Sequence, residues 1–185
     1  MNKTTLKRIQ SFKKFIDKAN ESLNNIININ FTIKNNIEWY GEFSTNKDKY
    51  YIHIKKIIYN KIVESDDVYT VKFGLIEGDI KIHKKLKTNS SLRSLSVFAT
   101  VRESLKDFIS KIKPNVLTFY ASDKDDTRIK LYQNFCSEII DKYKTTYYDF
   151  YHLYNDIPIF IICNYRYNIL NIKDLYIDAY DFYKQ

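Results

Sequence analysis

The sequence has little of what would mark a metal-binding, disulfide-bonded or membrane protein: it has 2 Cys, 3 His, 3 Gly and 2 Pro among 185 residues. No apolar run approaches the roughly 18 residues that cross a bilayer as a helix. The N-terminal stretch lacks the apolar core of a signal peptide. Neither a repeat nor a low-complexity linker interrupts the chain. These absences predict a soluble, intracellular protein without a membrane partner, built as one main domain.

The cysteines and histidines are too scattered to form a site by spacing alone. Cys136 and Cys163 have no second Cys or His at zinc-finger spacing. They fall in an amphipathic helical pattern and in an apolar strand pattern, which predicts two buried free thiols. His53, His83 and His152 lie on separate segments, so a metal site would need three distant elements to converge. We therefore predict no metal site.

What is abundant is positive charge. Lys and Arg number 30 against 22 Asp and Glu, a formal charge of +8. This excess favours an anionic partner such as nucleic acid, a phosphate-bearing cofactor or an acidic protein surface. The same bias toward Lys, Asn, Ile and Tyr is also what AT-rich codons produce, so the charge alone leaves both explanations open.

The N-terminal region reads as a basic amphipathic helix. In residues 3–24 the apolar side chains recur at helical spacing, and Lys and Arg occupy many of the other positions. We expect one stripe to pack on a sheet; an anion-binding face and a membrane-surface role are the alternatives. The Asn-rich residues 24–36 predict a loop leading into a short strand.

The middle of the chain predicts an antiparallel meander with period-two strands. The strands are expected at 37–43, 50–59, 68–76 and 80–86. In the third of them Tyr69, Val71 and Phe73 alternate with Thr70 and Lys72, which predicts one covered face and one more polar face.

The last part alternates helix and strand. Apolar residues recur every 3.6 positions from Leu95 until Pro114 ends the helix. A short apolar strand at 116–121 is expected to run parallel to its predecessor, because it follows a crossover helix. A second helix from Thr127 to about Tyr143 precedes a hairpin of strands 146–154 and 157–166, and residues 167–185 predict a short terminal helix. The polar loop after strand 116–121 is where α/β folds usually hold ligands.

Two short sequence segments and the order of the predicted helices and strands resemble a known superfamily. Arg128-Ile129-Lys130-Leu131-Tyr132 opens the second helix, and Val97-Phe98-Ala99-Thr100-Val101 lies in the first. Together with the element order they resemble the acyl-CoA N-acyltransferase (GNAT) superfamily, and bacteriophage-encoded GNAT-like proteins in particular. The resemblance covers residues 37–166. It implies a mixed, mostly antiparallel sheet flanked by helices, divided as a basic helix and loop (1–30), a GNAT-like domain (31–168) and a C-terminal extension (169–185).

The resemblance also implies a reaction and a cofactor. The implied reaction is transfer of an acyl group from acyl-CoA, with acetyl-CoA as the expected cofactor, to an unidentified amine in host cytoplasm or virion. Tyr132 occupies the place of the family's tyrosine near the cofactor thiol and would act as general acid, while Glu77, or His83 through a water, would deprotonate the amine. The cofactor phosphates would meet the segment that opens the first helix, together with the start of the second. These residues are Lys87, Asn89, Ser90, Ser91, Arg93 and Arg128.

Other interpretations of the same residues stay open. The family's phosphate loop is rich in glycine, whereas residues 87–94 contain none, and close backbone approach is harder with a Cβ at every position. Tyr132 also fits a core aromatic, and Arg128 fits a local ion pair behind the preceding aspartates. The chain could then be a non-catalytic phage protein, structural or active in host takeover, on a GNAT-like scaffold. The further alternative is a basic nucleic-acid-binding module. Its binding residues would be Lys81, Lys84, Lys85, Lys87 and Arg93.

One structural feature distinguishes the acyltransferase from the non-catalytic protein. Two parallel strands that separate beside residues 89–93 would favour CoA binding. A side chain that fills the gap between them would favour the non-catalytic protein.

Overall fold

The computed structural model describes residues 25–57, 67–77, 80–82, 91–120, 126–154 and 157–166. Within these ranges lie eight strands and two α-helices. The strands are β1 (Asn30–Lys34), β2 (Glu38–Ser44), β3 (Lys49–Lys56), β4 (Val68–Glu77), β5 (Ile80–Ile82), β6 (Val116–Tyr120), β7 (Tyr147–Tyr154) and β8 (Ile157–Asn164). The helices are α1 (Ser91–Ile112) and α2 (Asp126–Ile140), the latter followed by a 3-10 turn, Asp141–Tyr143.

All described strands join one mixed sheet. Its order is β1-β2-β3-β4-β6-β8-β7, with β5 paired to β4 off this path. Every described pairing is antiparallel except β4 with β6, which is parallel. The predicted mostly antiparallel sheet with helices is confirmed. The strand after the crossover helix, β6, is parallel to β4 but runs opposite to β5, its predecessor in the chain. The prediction that it runs parallel to its predecessor is therefore wrong, because β5 folds back antiparallel on β4 before the crossover. The protein is a mixed α+β fold.

Both described helices pack on the same side of the sheet, which we call the helix face. Trp39 on β2 and Tyr69 on β4 each meet Phe108 of α1, with ring centroids 5.2 and 5.0 Å apart. Phe119 on β6 meets Phe135 of α2 at 5.8 Å. The apolar stripe at 3.6-residue spacing predicted that one side of each helix is buried, and these contacts show what each side meets.

The opposite side of the sheet, the second face, is also buried at its centre. Thr70 and Thr118, neighbours on β4 and β6, are each 1% exposed, and Cys163 on β8 is fully buried. The expected polar face of the meander is therefore wrong at Thr70. The reason is its position: Thr70 lies beside β6, with β8 next in the sheet, and alternation within one strand does not reveal such neighbours.

The prediction of two buried thiols is confirmed, since Cys136 and Cys163 are both buried and neither forms a disulfide. The predicted N-terminal helix 3–24 and terminal helix 167–185 lie outside the described residues. Just after the first of these segments, the Ile27 N–H donates to Thr100 Oγ1 on α1 at 3.0 Å. Residues 25–29 thus contact the main domain, while the proposed boundaries near 30 and 168 stay predictions.

Gly41 on β2 leaves room for the chain that leads into β1. A Cβ at this position would come within 2.5 Å of Ile29 Cγ2 and 2.8 Å of a Phe31 ring carbon. We expect Gly41→Ala to lower the free energy of unfolding by about 1–3 kcal/mol, because two core-packed side chains must move. Urea denaturation measures this, with Ser44→Ala on the exposed end of β2 as the control. Unchanged stability would contradict the packing of β1 described above.

Candidate functional site

The parallel strands β4 and β6 pair over a short stretch and then separate. Their register begins at Val68↔Val116 and ends at Thr70↔Thr118. Strand β4 nevertheless continues to Glu77, and the next pairing on it is with β5, beginning at Leu75. Between the end of one ladder and the start of the other lies the stretch Val71–Gly74, which we call the opening.

Main-chain groups in this opening point toward the β6 side. The Ile57 N–H donates to the Val68 carbonyl at 2.9 Å, so the main-chain groups of Val68 face β3. Successive strand residues alternate in this respect, and those of Val71 and Phe73 therefore face the other way. Among the described residues, Val71–Gly74 form no ladder on that side. This edge can accept an extended ligand that carries amides.

Tyr132 lies beneath the opening on the helix face, packed among aromatic rings from four elements. Its ring centroid is 6.1 Å from Phe73 on β4 and 5.8 Å from Phe119 on β6, the two strands that separate. Phe98 of α1 lies at 5.6 Å and Phe160 of β8 at 5.3 Å. Tyr132 retains 7% exposure. Packing on this scale holds the ring in one position.

The backbone brings four of the other predicted site residues toward the same end of the sheet. Glu77 ends β4 beyond the opening, Ser91 and Arg93 begin α1, and Arg128 lies one helical turn before Tyr132 in α2. The side chains of these four are outside the described part of the structure. His83, Lys87, Asn89 and Ser90 lie outside the described residues altogether, as do Lys84 and Lys85 of the nucleic-acid alternative.

A row of polar side chains crosses the second face of the sheet, which sequence reasoning missed. Tyr40 of β2 is in register with His53 of β3, and His53 with Lys72 of β4. His53 Nε2 lies 2.6 Å from a Glu38 oxygen, and the Tyr40 hydroxyl donates to Glu42 at 2.7 Å. The row could not be found from one strand, because only the register aligns the three residues.

Burial and neighbouring charges shift the pKa values of two side chains in this row. Burial, the Glu42 hydrogen bond and the Glu42 charge raise the pKa of Tyr40 to about 12. Burial and the nearby Lys55 charge lower the pKa of the Lys72 ammonium. A lysine with a lowered pKa loses its proton more readily than an exposed one. Lys72 lies at the opening, one residue before Phe73, but on the opposite face from Tyr132.

The Cys136 thiol is poorly suited to act as a nucleophile. Burial, together with the Asp149 carboxylate, raises the pKa of Cys136 well above its usual range, which disfavours the reactive thiolate.

In the described ranges, no three His, Cys, Asp or Glu side chains converge as a metal site requires. No helix in the described part of the chain is long and apolar enough to cross a membrane.

Comparison of the chain with protein-family models, with curated proteins and with solved structures found no match.

Proposed function

We propose that this protein is a GNAT-like, acyl-CoA-dependent N-acyltransferase. One observation carries the proposal: β4 and β6 separate after Thr70 and Thr118, and Tyr132 lies between rings from the two separating strands. This is the arrangement that the resemblance of residues 128–132 to the superfamily leads one to expect. The order of strands and helices over residues 37–166 supports the same proposal.

The opening suits the central arm of CoA. That arm is an extended chain with two amide groups, and amides pair with an exposed strand edge as another strand would. The main-chain groups of Val71 and Phe73 face this edge. An acyl-CoA lying along β4 would place its thioester toward the helices, on the side where Tyr132 packs.

The phosphates of the cofactor would meet the start of α1. Main-chain N–H groups at a helix N-terminus attract anions, and Ser91 and Arg93 belong to the first turn of α1. Lys87, Asn89 and Ser90 precede that turn, and Arg128 opens α2. In this proposal the basic side chains supply charge that a glycine-rich loop would supply through its backbone.

The chemistry proposed for the site is proton transfer at both ends of the reaction. Tyr132 protonates the departing CoA thiolate, and a base takes a proton from the attacking amine. Glu77, at the end of β4, is the proposed base, with His83 acting through a water as the other assignment. The amine attacks the thioester carbonyl, the carbon–sulfur bond breaks, and the amide and free CoA leave.

A non-catalytic protein on the same scaffold is the second candidate. The burial of Tyr132 favours it, since a ring that is 7% exposed and surrounded by four other rings also serves as plain core packing. In that case the acyl group would find no space beside the hydroxyl. The two candidates differ in whether the opening admits acetyl-CoA.

Thermal denaturation with acetyl-CoA separates them. If the opening binds acetyl-CoA, a ten-fold excess over the dissociation constant should raise the free energy of unfolding by about 1.4 kcal/mol. Adenosine 3′,5′-bisphosphate, which has the phosphates but not the amide-bearing arm, should stabilise the protein less. No shift at millimolar acetyl-CoA would exclude the transferase and leave the non-catalytic protein.

A further inference from the structure

A second cleft lies at the other end of the sheet, where β6 and β7 begin and where α1 and β8 end. Its volume is about 580 Å³, within the roughly 300–1,000 Å³ that is usual for small-molecule sites. It is separate from the opening between β4 and β6, which lies toward the carboxyl end of β6. The described lining residues are Ile109, Ser110, Lys113, Tyr143, Thr145, Thr146, Tyr147, Asn164, Tyr165 and Arg166.

Main-chain hydrogen bonds fix the shape of this cleft. The Asn164 N–H donates to the Asn115 carbonyl at 2.9 Å, joining the end of β8 to the start of β6. The Tyr165 N–H donates to the Thr146 carbonyl at 3.0 Å. Beneath these bonds the Tyr147 hydroxyl donates to the Pro114 carbonyl at 2.8 Å. The walls therefore come from three chain segments that are tied to one another rather than from a free loop.

The described part of the lining carries charge of one sign. Lys113 and Arg166 are exposed there, and no described lining residue is acidic. The structure gives neither side chain an ion pair with a described carboxylate. Two full positive charges outweigh the partial negative charge, about half a unit, that the end of α1 contributes. The cleft thus offers a positive field to a ligand.

Lys113 has a backbone conformation that is strained for any residue with a Cβ. Its φ is +54°, in the left-handed region that usually falls to glycine after a helix. Its N–H donates to the Ile109 carbonyl at 3.0 Å and so closes the last turn of α1. A glycine would close that turn at lower cost. The side chain at this position instead adds a cation to the cleft.

The remaining lining selects among anions. Ser110, Thr145 and Thr146 add hydroxyl groups, which bind phosphate oxygens alongside Arg and Lys. Tyr165, next to Arg166, is 60% exposed and offers a flat ring surface for stacking. We propose that this cleft binds a phosphate monoester attached to a planar ring, the chemistry of a mononucleotide, either free or at the end of a nucleic-acid strand.

Calorimetric titration of the full chain tests the site, with adenosine 5′-monophosphate, adenosine and inorganic phosphate as probes. The monophosphate should bind more tightly than either fragment, and more weakly as salt rises. Arg166→Gln should weaken its binding roughly ten-fold or more, because a charge-assisted hydrogen bond is lost. A 5′-phosphorylated oligonucleotide that binds more tightly than the monophosphate would identify a strand terminus as the source of the ligand.

Lys113→Gly separates the site from the fold. This change should weaken monophosphate binding while leaving the melting temperature equal to or above that of the wild type. Lys47→Gln, an equal loss of charge in the exposed turn between β2 and β3, is the matched control and should leave binding unchanged. The proposal is overturned if the monophosphate does not bind at 10 mM. It is also overturned if Lys47→Gln weakens binding as much as Arg166→Gln does.

Discussion

Phe108→Ala should lower the free energy of unfolding by about 3–5 kcal/mol, among the largest losses that a single substitution in this chain can cause. Phe108 of α1 is fully buried. Its ring lies edge-on to Trp39 and Tyr69, and so joins α1 to two different strands. Truncation would remove the transfer energy of the ring and leave a cavity among aromatic neighbours that cannot collapse into it.

Urea denaturation followed by far-ultraviolet circular dichroism measures this loss. Tryptophan fluorescence is unsuitable, since Trp39 is the single tryptophan and contacts the substituted ring. Ser110→Ala, on the exposed side of the same helix, is the control and should change stability by no more than about 0.5 kcal/mol. A loss below about 1 kcal/mol at Phe108 would mean that α1 does not pack on the sheet through this ring.

Much of the fold follows from hydrophobic periodicity in the sequence. The 3.6-residue repeat before Pro114 predicted α1, which ends at Ile112. The continuous apolar run after Asn115 predicted β6 but not its direction, since β6 runs parallel to β4 rather than to β5, its predecessor. These signals are local: each depends on residues within one or two turns or on one strand.

What the sequence did not reveal depends on contacts between distant segments. The row of Tyr40, His53 and Lys72 exists only because three strands share one register. The separation of β4 from β6 after Thr70 is a property of the pair, and neither strand alone signals it. The cleft beside Lys113 joins the ends of three segments. Periodicity identifies a face of an element, but not the neighbour that the face meets.

Tyr132 illustrates both limits at once. Its spacing placed it on the buried stripe of α2, and its resemblance to the superfamily motif placed it beside a cofactor thiol. The structure confirms the first, with Tyr132 among the rings of Phe73, Phe98, Phe119 and Phe160. The second stays a prediction, because burial of the ring does not decide what the hydroxyl does.

Tyr132→Phe should reduce acetyl transfer about 10²–10⁴-fold while preserving acetyl-CoA binding. The substitution keeps the ring and its four aromatic neighbours, so the fold should persist, but it removes the only proton that Tyr132 can give to the departing thiolate. Release of the CoA thiol from acetyl-CoA, with a mixture of primary amines as acceptors, measures turnover. Thermal denaturation with acetyl-CoA measures binding in the same variant.

Tyr147→Phe is the matched control for the loss of one hydroxyl. Its hydroxyl donates to the Pro114 carbonyl at the opposite end of β6, so the variant should lose about 0.5–1.5 kcal/mol of stability and keep its turnover. If Tyr132→Phe keeps full turnover, Tyr132 is not the general acid and serves as core packing. If both variants lose turnover equally, the loss follows from weakened packing rather than from proton transfer. Only a loss confined to Tyr132→Phe, with acetyl-CoA binding intact, assigns the proton to this hydroxyl.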